Sequence, residues 1–221
     1  MFYVTGDVHA DIEGFKKRGF QGIRQKDCIV ICGDFGLIWN GSEQERKIAR
    51  SLGRKRYKTL FIDGTHENFS LLESCPVTEW CGGKVQVISQ NLIHLMRGQV
   101  YLINDKRIFT FGGGESVEKE MRVAEKTWWA QEAPSRAEME EGVENLEACG
   151  WQVDYIFTHE APASLCRLFD SDFEEPNVLN VYLDQINKRC TFKKWVFGSY
   201  HRTKQMTGQH NVVFEGVLKL D

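Results

Sequence analysis

With 221 residues the chain is long enough for one sizeable hydrophobic core, and its 28 basic and 31 acidic residues leave a net charge of −3, which supplies no general attraction to nucleic acid or an anionic membrane. No apolar stretch approaches the roughly 20 residues that cross a bilayer, and the seven cysteines contain no Cys-x-x-Cys pair, so neither a membrane span nor a thiolate zinc site is expected. Met1 leads straight into an apolar run, so no export signal is expected, and the setting this implies is cytoplasmic, with reduced thiols.

In chain order, Phe2-Tyr3-Val4-Thr5 is a β-branched and aromatic run of the kind that forms a buried strand, closed by Gly6-Asp7-Val8-His9. Cys28 to Cys32 is a second such run, closed by Gly33-Asp34, with its two cysteines read as small core hydrophobes. Ser42 with Glu45 has the capping-box form and opens a helix to about Leu52, with Ile48 and Leu52 on one face and Gly53 as C-cap. The run Arg54-Lys55-Arg56 with Lys58 is either a solvated helix end or a phosphate or nucleic-acid contact. Thr59 to Ile62 is a third buried strand, closed by Asp63-Gly64-Thr65-His66-Glu67.

Hairpin-like strands follow: Lys84 to Ile88, an apolar segment from Leu92 to Gln99 in which His94 and Arg97 are assigned structural roles, Gln99 to Ile103, a turn at Asn104-Asp105, and Arg107 to Phe111. Gly112-Gly113-Gly114 is either a plain turn or a place where backbone N–H groups approach a phosphate. Trp128-Trp129 is read as packing of a helix onto the sheet or, alternatively, as a lid that recognises a base or a protein partner. Ser135 with Glu138 opens a second capped helix to about Ala148, carrying Met139, Val143 and Leu146, with Gly150 as C-cap. Tyr155 to Thr158 precedes His159-Glu160, Trp195 to Phe197 precedes Gly198-Ser199-Tyr200-His201, and a last hairpin pairs about Lys204 to Met206 with Val212 to Val217. The pattern predicts an α/β fold of two packed sheets flanked by helices, in a single domain over residues 1–221.

Asp7, His9, Asp34, His66, His159 and His201 all stand just past the carboxyl ends of predicted strands. In an open α/β sheet such positions converge on one crevice. Carboxylate and imidazole donors without thiolate suit a borderline or hard divalent ion, with Mn²⁺ placed first and Fe²⁺, Zn²⁺, Mg²⁺ and Ni²⁺ as alternatives. An Asp can bridge two ions, and paired ions roughly 3.5–4 Å apart serve phosphoester hydrolysis by activating water, clamping the phosphate and neutralising transition-state charge.

In order and spacing these residues resemble the calcineurin-like metallophosphoesterases, specifically their small bacterial and phage-type members. The family pattern runs Asp-x-His, Gly-Asp, Gly-Asn-His-Glu or Asp, a lone His and Gly-His-x-His, and the match spans residues 5 to 201. The resemblance implies a four-layer sandwich of two mixed β-sheets flanked by helices. It implies one tight ion held by Asp7, His9, Asp34 and His201. It implies a second at Asp34 and His159, where Thr65 stands for the family's Asn and Ser199 for its His. Two replaced ligands cost roughly 10²-fold or more in affinity, so the second site is expected to be weak or absent; Mg²⁺, which keeps several waters, can still lodge there. The resemblance further implies that Asp34 and His66 are catalytic, with His66 protonating the leaving oxygen or stabilising the transition state, oriented by Glu67 or Asp34.

Glu160 is a candidate for substrate binding, together with Gly113, and a candidate substitute carboxylate for the second ion, although strand alternation turns it away from His159. Relatives that act on phosphoproteins carry an Arg in Gly-Asp-x-Val-Asp-Arg-Gly, where this chain has Gly33-Asp34-Phe35-Gly36-Leu37-Ile38-Trp39. The expected substrate is therefore a small phosphodiester, nucleotide or phosphomonoester, hydrolysed by a metal-activated water. The alternative is a catalytically impaired relative that binds a phosphorylated ligand or a protein partner.

Overall fold

The computed structural model describes residues 1–116, 118–168 and 175–221. Three parallel strands, β1 (Phe2–Thr5), β2 (Cys28–Cys32) and β3 (Lys58–Ile62), turn successive side chains to opposite faces. Phe2, Val4, Cys28, Val30, Cys32, Leu60 and Ile62 enter one core, and Tyr3, Ile29, Ile31 and Phe61 another. Both faces are thus covered, which is what near-continuous apolar strands require. β4 (Val77–Trp80), β5 (Gly83–Ser89) and β6 (Leu92–Leu95) extend this sheet as antiparallel neighbours, with β6 running parallel to β3.

The second sheet begins with the hairpin of β7 (Gln99–Ile103) and β8 (Lys106–Phe111), turned at Asn104 and Asp105. Both turn residues have positive φ, as tight hairpins demand. β9 (Tyr155–Thr158) and β10 (Lys194–Phe197) join in parallel, and β11 (Lys204–Gln205) with β12 (His210–Val212) forms the far edge. β13 (Leu218–Leu220) returns to the first sheet, antiparallel to β1. The strand orders are β13-β1-β2-β3-β6-β5-β4 and β11-β12-β10-β9-β8-β7.

Helices α1 (Ile12–Lys17), α2 (Glu43–Gly53) and α3 (Phe69–Glu73) cover the outer face of the first sheet through Ile12, Phe15, Ala49, Leu52 and Leu72. α4 (Arg136–Ala148), α5 (Ala163–Cys166) and α6 (Val178–Arg189) cover the second through Leu146, Leu165, Leu179, Leu183 and Ile186. Between the sheets, Val4, Val30 and Leu60 meet Tyr101, Ile108, Phe157 and Val196. Each such fully buried side chain contributes about 1.5–3 kcal/mol. The architecture is the expected one: two mixed sheets, face to face, with helices outside.

The N-caps expected at Ser42 and Ser135 both form, but only the second is a full capping box, because the Glu45 carboxylate accepts the amides of Trp39, Asn40 and Gly41 instead of that of Ser42. Ser42 Oγ accepts the Glu45 amide at 3.2 Å, and Ser135 with Glu138 forms a complete capping box. Gly150 follows the C-cap residue Cys149 with φ 66°, as expected. Gly53 is instead the last residue of α2, and its lack of a side chain serves packing: a Cβ there would lie 2.5 Å from the Ser89 carbonyl oxygen. The final hairpin also differs from expectation, because β12 ends at Val212 and the chain then crosses to β1. α1, α3, β4, α5, α6 and β13 are additions to the sequence reading. Among the described residues no helix is long and apolar enough to cross a membrane, and all seven cysteines are unpaired.

Candidate metal centre

The five central parallel strands deliver their C-terminal loops to one cleft. β1 brings Asp7 and His9, β2 brings Asp34, β3 brings Thr65 and His66, β9 brings His159 and Glu160, and β10 brings Ser199 and His201. The turns are tight: His9 (φ 46°), Asp34 (46°), Ser199 (67°) and His201 (45°) all occupy the left-handed region. Residues other than glycine hold that conformation only when their surroundings enforce it, and such positions gather at functional sites. Gly33 explains part of the enforcement, since a Cβ there would lie 2.0 Å from His159 Nδ1. At Gly64 a Cβ would lie 2.1 Å from Asp34 Oδ1.

Asp34 is the hub. Its Oδ1 accepts the amides of Thr65 at 2.6 Å and His66 at 2.8 Å, and its Oδ2 accepts His66 Nδ1 at 2.9 Å. His159 Nε2 lies 3.6 Å from Oδ1 and His9 Nε2 3.7 Å from Oδ2. Asp7 Oδ1 accepts the Ser199 amide at 3.1 Å, while its buried Oδ2 receives no hydrogen bond, although His201 Nε2 is 3.2 Å away. His9 and His201 face each other Nε2 to Nε2 at 3.4 Å. One ligand atom each from Asp7, His9 and His201 falls within 4.8 Å of the others, and the same holds for His9, Asp34 and His66.

These residues fit a divalent cation. Leaving a buried carboxylate oxygen without a donor costs about 1–3 kcal/mol, and among the described residues no Lys or Arg pairs with Asp7 or Asp34. A cation held here by Asp7, His9, Asp34 and His201 would resolve both deficits. The groups also shift one another's protonation. Burial pushes the Asp7 carboxyl up, with Asp34 adding to the effect. Burial also acts on Asp34, but His159, His66 and His9 more than reverse it and hold that carboxyl well below the usual range. His159, opposed by burial but facing Asp34 and Asp7, is pushed up to about 9. His9 is lowered by burial, and His66 is raised by its hydrogen bond to Asp34.

The other half of the cleft is built differently. His159 Nδ1 donates to the Cys32 carbonyl at 3.0 Å, which fixes the ring and leaves Nε2 facing Asp34 Oδ1 at 3.6 Å. Thr65 Oγ1 lies 3.1 Å from His66 Nδ1, and Ser199 Oγ donates to Glu160 Oε1 at 3.2 Å. Asp34, rather than Glu67, orients His66. Glu67 is fully buried and accepts the amides of Phe35 at 2.8 Å and Gly36 at 3.2 Å, bracing the turn that carries Asp34.

Gly113 and Gly114 donate their amides internally, to Asp63 O at 3.0 Å and Glu132 O at 2.9 Å, so the turn reading describes them and neither N–H points at the cleft. Trp129 is buried, but against Trp39 in the loop after β2 and with its indole N–H donating to Ser70 Oγ of α3 at 2.9 Å, so its packing is onto a loop and a helix rather than onto the sheet. Two arginines absent from the sequence reading brace the site. Arg18 donates to the carbonyls of Gly6, Asp7 and Phe214, and Arg122 donates to the Thr65 carbonyl at 3.0 Å while pairing with Glu132. Neither carries a motif that could have announced it.

No family model and no curated protein matches the chain. Ten solved chains match it in structure. Among them is the crystal structure of phosphopantetheinyl hydrolase (PptH) from Mycobacterium tuberculosis, with a TM-score of 0.48 and 18% sequence identity over 97% of this chain and 89% of that one. A likeness of that degree says nothing of this chain's chemistry, which rests on the cleft itself.

Proposed function

We propose that residues 1–221 act as one metal-dependent phosphoester hydrolase, working on a small phosphorylated substrate such as a phosphodiester, nucleotide or phosphomonoester. The observation that carries this reading is the convergence of Asp7, His9, Asp34 and His201, whose carboxylates make their ion pairs, among the described residues, with imidazoles alone, beside an imidazole that Asp34 itself orients. A divalent ion in that half, Mn²⁺ before the alternatives, supplies Lewis-acid activation of a phosphate oxygen and of water. The chain's own groups do the rest. Asp34 Oδ2 holds His66 by Nδ1, which leaves Nε2 to deliver a proton to the leaving oxygen. The same hydrogen bond favours the protonated ring and moves its pKa upward from the ordinary imidazole value. Phe35 and Leu37, which follow Asp34, are buried and send no arginine towards a phosphoprotein.

Hydrolysis of an aryl phosphodiester and an aryl phosphomonoester, followed as Mn²⁺ is raised to millimolar levels, tests the proposal. Activity is expected to rise with Mn²⁺ and to vanish with chelator or with Asp34→Ala; metal-independent turnover overturns it. The hydroxyls of Thr65 and Ser199, each engaged by a neighbour, favour the second reading of a binding protein without turnover. That reading expects tight binding of a phosphorylated ligand with no hydrolysis at any Mn²⁺ concentration.

A further inference from the structure

His66 rests on a peptide unit that is gripped at both of its polar groups. The N–H between Thr65 and His66 donates to Asp34 Oδ1 at 2.8 Å, and the Thr65 carbonyl of the same peptide accepts Arg122 Nη2 at 3.0 Å, from a residue 57 positions further along the chain. Asp34 Oδ2 holds the ring by Nδ1 at 2.9 Å, so a carboxylate and a guanidinium together fix where the ring stands. The other nitrogens of Arg122 are engaged as well: Nε donates to the Thr127 carbonyl and Nη1 to Ser116 Oγ at 3.0 Å, and the side chain is only 9% exposed. A planar fork held at so many points is a strut that an ammonium on a flexible stem cannot copy. Its counter-charge is Glu132, whose Oε1 lies 3.0 Å from Nη2 on a side chain 2% exposed. Among the described residues neither Glu132 oxygen receives a well-aligned hydrogen bond, so the pairing with Arg122 is what makes a carboxylate tolerable there. Burial pushes the Glu132 carboxyl up to about 7, and Arg122 is the largest influence pulling it back. Glu132 is itself anchored apart from the metal ligands. It ends the 3-10 turn Ala130–Glu132, its carbonyl accepts the Gly114 amide at 2.9 Å, and Trp129 just before that turn is buried with its indole N–H on Ser70 Oγ.

Resting on the hydrolase reading, we propose that Arg122, held in turn by Glu132, is a positioning residue for His66: its grip on the Thr65 carbonyl fixes where the imidazole Nε2 meets the leaving oxygen, while its own donors stay committed to the chain. The proton passes from Nε2 to that oxygen as the bond to phosphorus breaks. Thr65 and Ser199 offer a second ion only hydroxyls, so the leaving oxygen has less metal charge to neutralise it and depends more on the acid. A misplacement of about 1 Å at such a group costs roughly 10²-fold. Among the described residues no hydrogen bond or ion pair joins Arg122 or Glu132 to Asp7, His9, Asp34 or His201, so the effect falls on proton delivery and spares the ion.

The test compares the native chain with Arg122→Gln plus Glu132→Gln, which removes the clamp without leaving a buried charge unpaired. The substrates are aryl phosphodiesters and monoesters whose leaving groups run from nitrophenol to phenol, at saturating Mn²⁺. The paired substitution is expected to lower kcat roughly 10–100-fold for the phenyl esters. It should matter far less for the nitrophenyl esters, whose leaving oxygen needs little protonation, and should leave KM and the stabilisation by Mn²⁺ unchanged. In a His66→Asn background it is expected to cost nothing further, because residues that act through one group are not additive. Arg122→Lys, which keeps a charge beside Glu132 but lacks the fork, is expected to show the same pattern more weakly. An equal loss for every leaving group, a further loss without His66, loss of the Mn²⁺ stabilisation, or no loss at all overturns the inference and leaves the hydrolase reading standing. Unfolding of both variants does the same, because the pair is then a structural requirement. A native chain that hydrolyses none of these esters overturns the hydrolase reading itself, and the positioning role with it.

Discussion

Asp34 and Asp63 are buried carboxylates that follow neighbouring strands of one sheet, and each has an imidazole beside it, yet they are completed in opposite ways. Asp63 Oδ2 receives Arg97 Nε at 2.8 Å and Nη2 at 2.6 Å, and His94 Nε2 lies 3.1 Å from its Oδ1. His94 Nδ1 in turn faces Gln86 Oε1 at 2.8 Å, and Arg97 reaches the Gln131 carbonyl at 2.7 Å. This cluster closes on itself, in keeping with the structural roles read for His94 and Arg97 from sequence. Around Asp34 and Asp7 the ion-pair partners among the described residues are all imidazoles, and Asp7 Oδ2 has no donor. The pair shows what separates a structural Asp–His cluster from a chemical one: the first has its cation in the chain, and the second has ligand atoms arranged for a cation from solution.

Asp63→Asn sharpens the contrast most. It leaves Arg97 buried without its counter-charge, at an expected cost of about 3–5 kcal/mol in urea unfolding that Mn²⁺ does not restore; a loss under about 1 kcal/mol removes the structural assignment. Mn²⁺ itself is expected to stabilise the native chain by about 2.7 kcal/mol at 100 times its dissociation constant. Asp7→Asn should abolish that gain, and stabilisation that survives in this variant puts the ion elsewhere. His66→Asn is expected to lower turnover roughly 10²-fold or more while leaving the Mn²⁺ stabilisation intact; if the stabilisation also goes, His66 belongs with the ligands.

The smallest effect lies in the pH dependence. Burial pushes the Asp63 carboxyl up, but Arg97 and His94 more than reverse this and hold it well below the usual range. The unfolded chain therefore takes up this proton at higher pH than the folded one. The stability it contributes is fully present above the unfolded value of about 4 and is lost as pH falls below it. Asp63→Asn should flatten the acid limb of the stability profile below about pH 4, and an unchanged slope breaks the assignment.

Much of this was legible because strand ends are local. The apolar runs before Asp7, Asp34 and His159 coincide with β1, β2 and β9, and the parallel register then places their loops side by side. What was illegible is mostly non-local. Nothing within Leu218–Leu220 says that it pairs with β1 rather than β12, and Arg18 and Arg122 reach the site through space from basic and acidic surface-like surroundings. α6 is different, since Leu179, Tyr182, Leu183 and Ile186 follow helical spacing and were readable as a stripe.

Asp7, His9, Asp34, Thr65 and His66 hang from the first sheet, and His159, Glu160, Ser199 and His201 from the second. Among the described residues no strand of one sheet pairs with a strand of the other; the layers meet through greasy side chains, and at this end through the bond from His159 to the Cys32 carbonyl. A cation held by residues of both layers would therefore act as a rivet through a laminate. Loading it should stiffen the seam, slowing amide exchange in β2 and β9 while leaving β4 and β7, at the sheet edges, as they were.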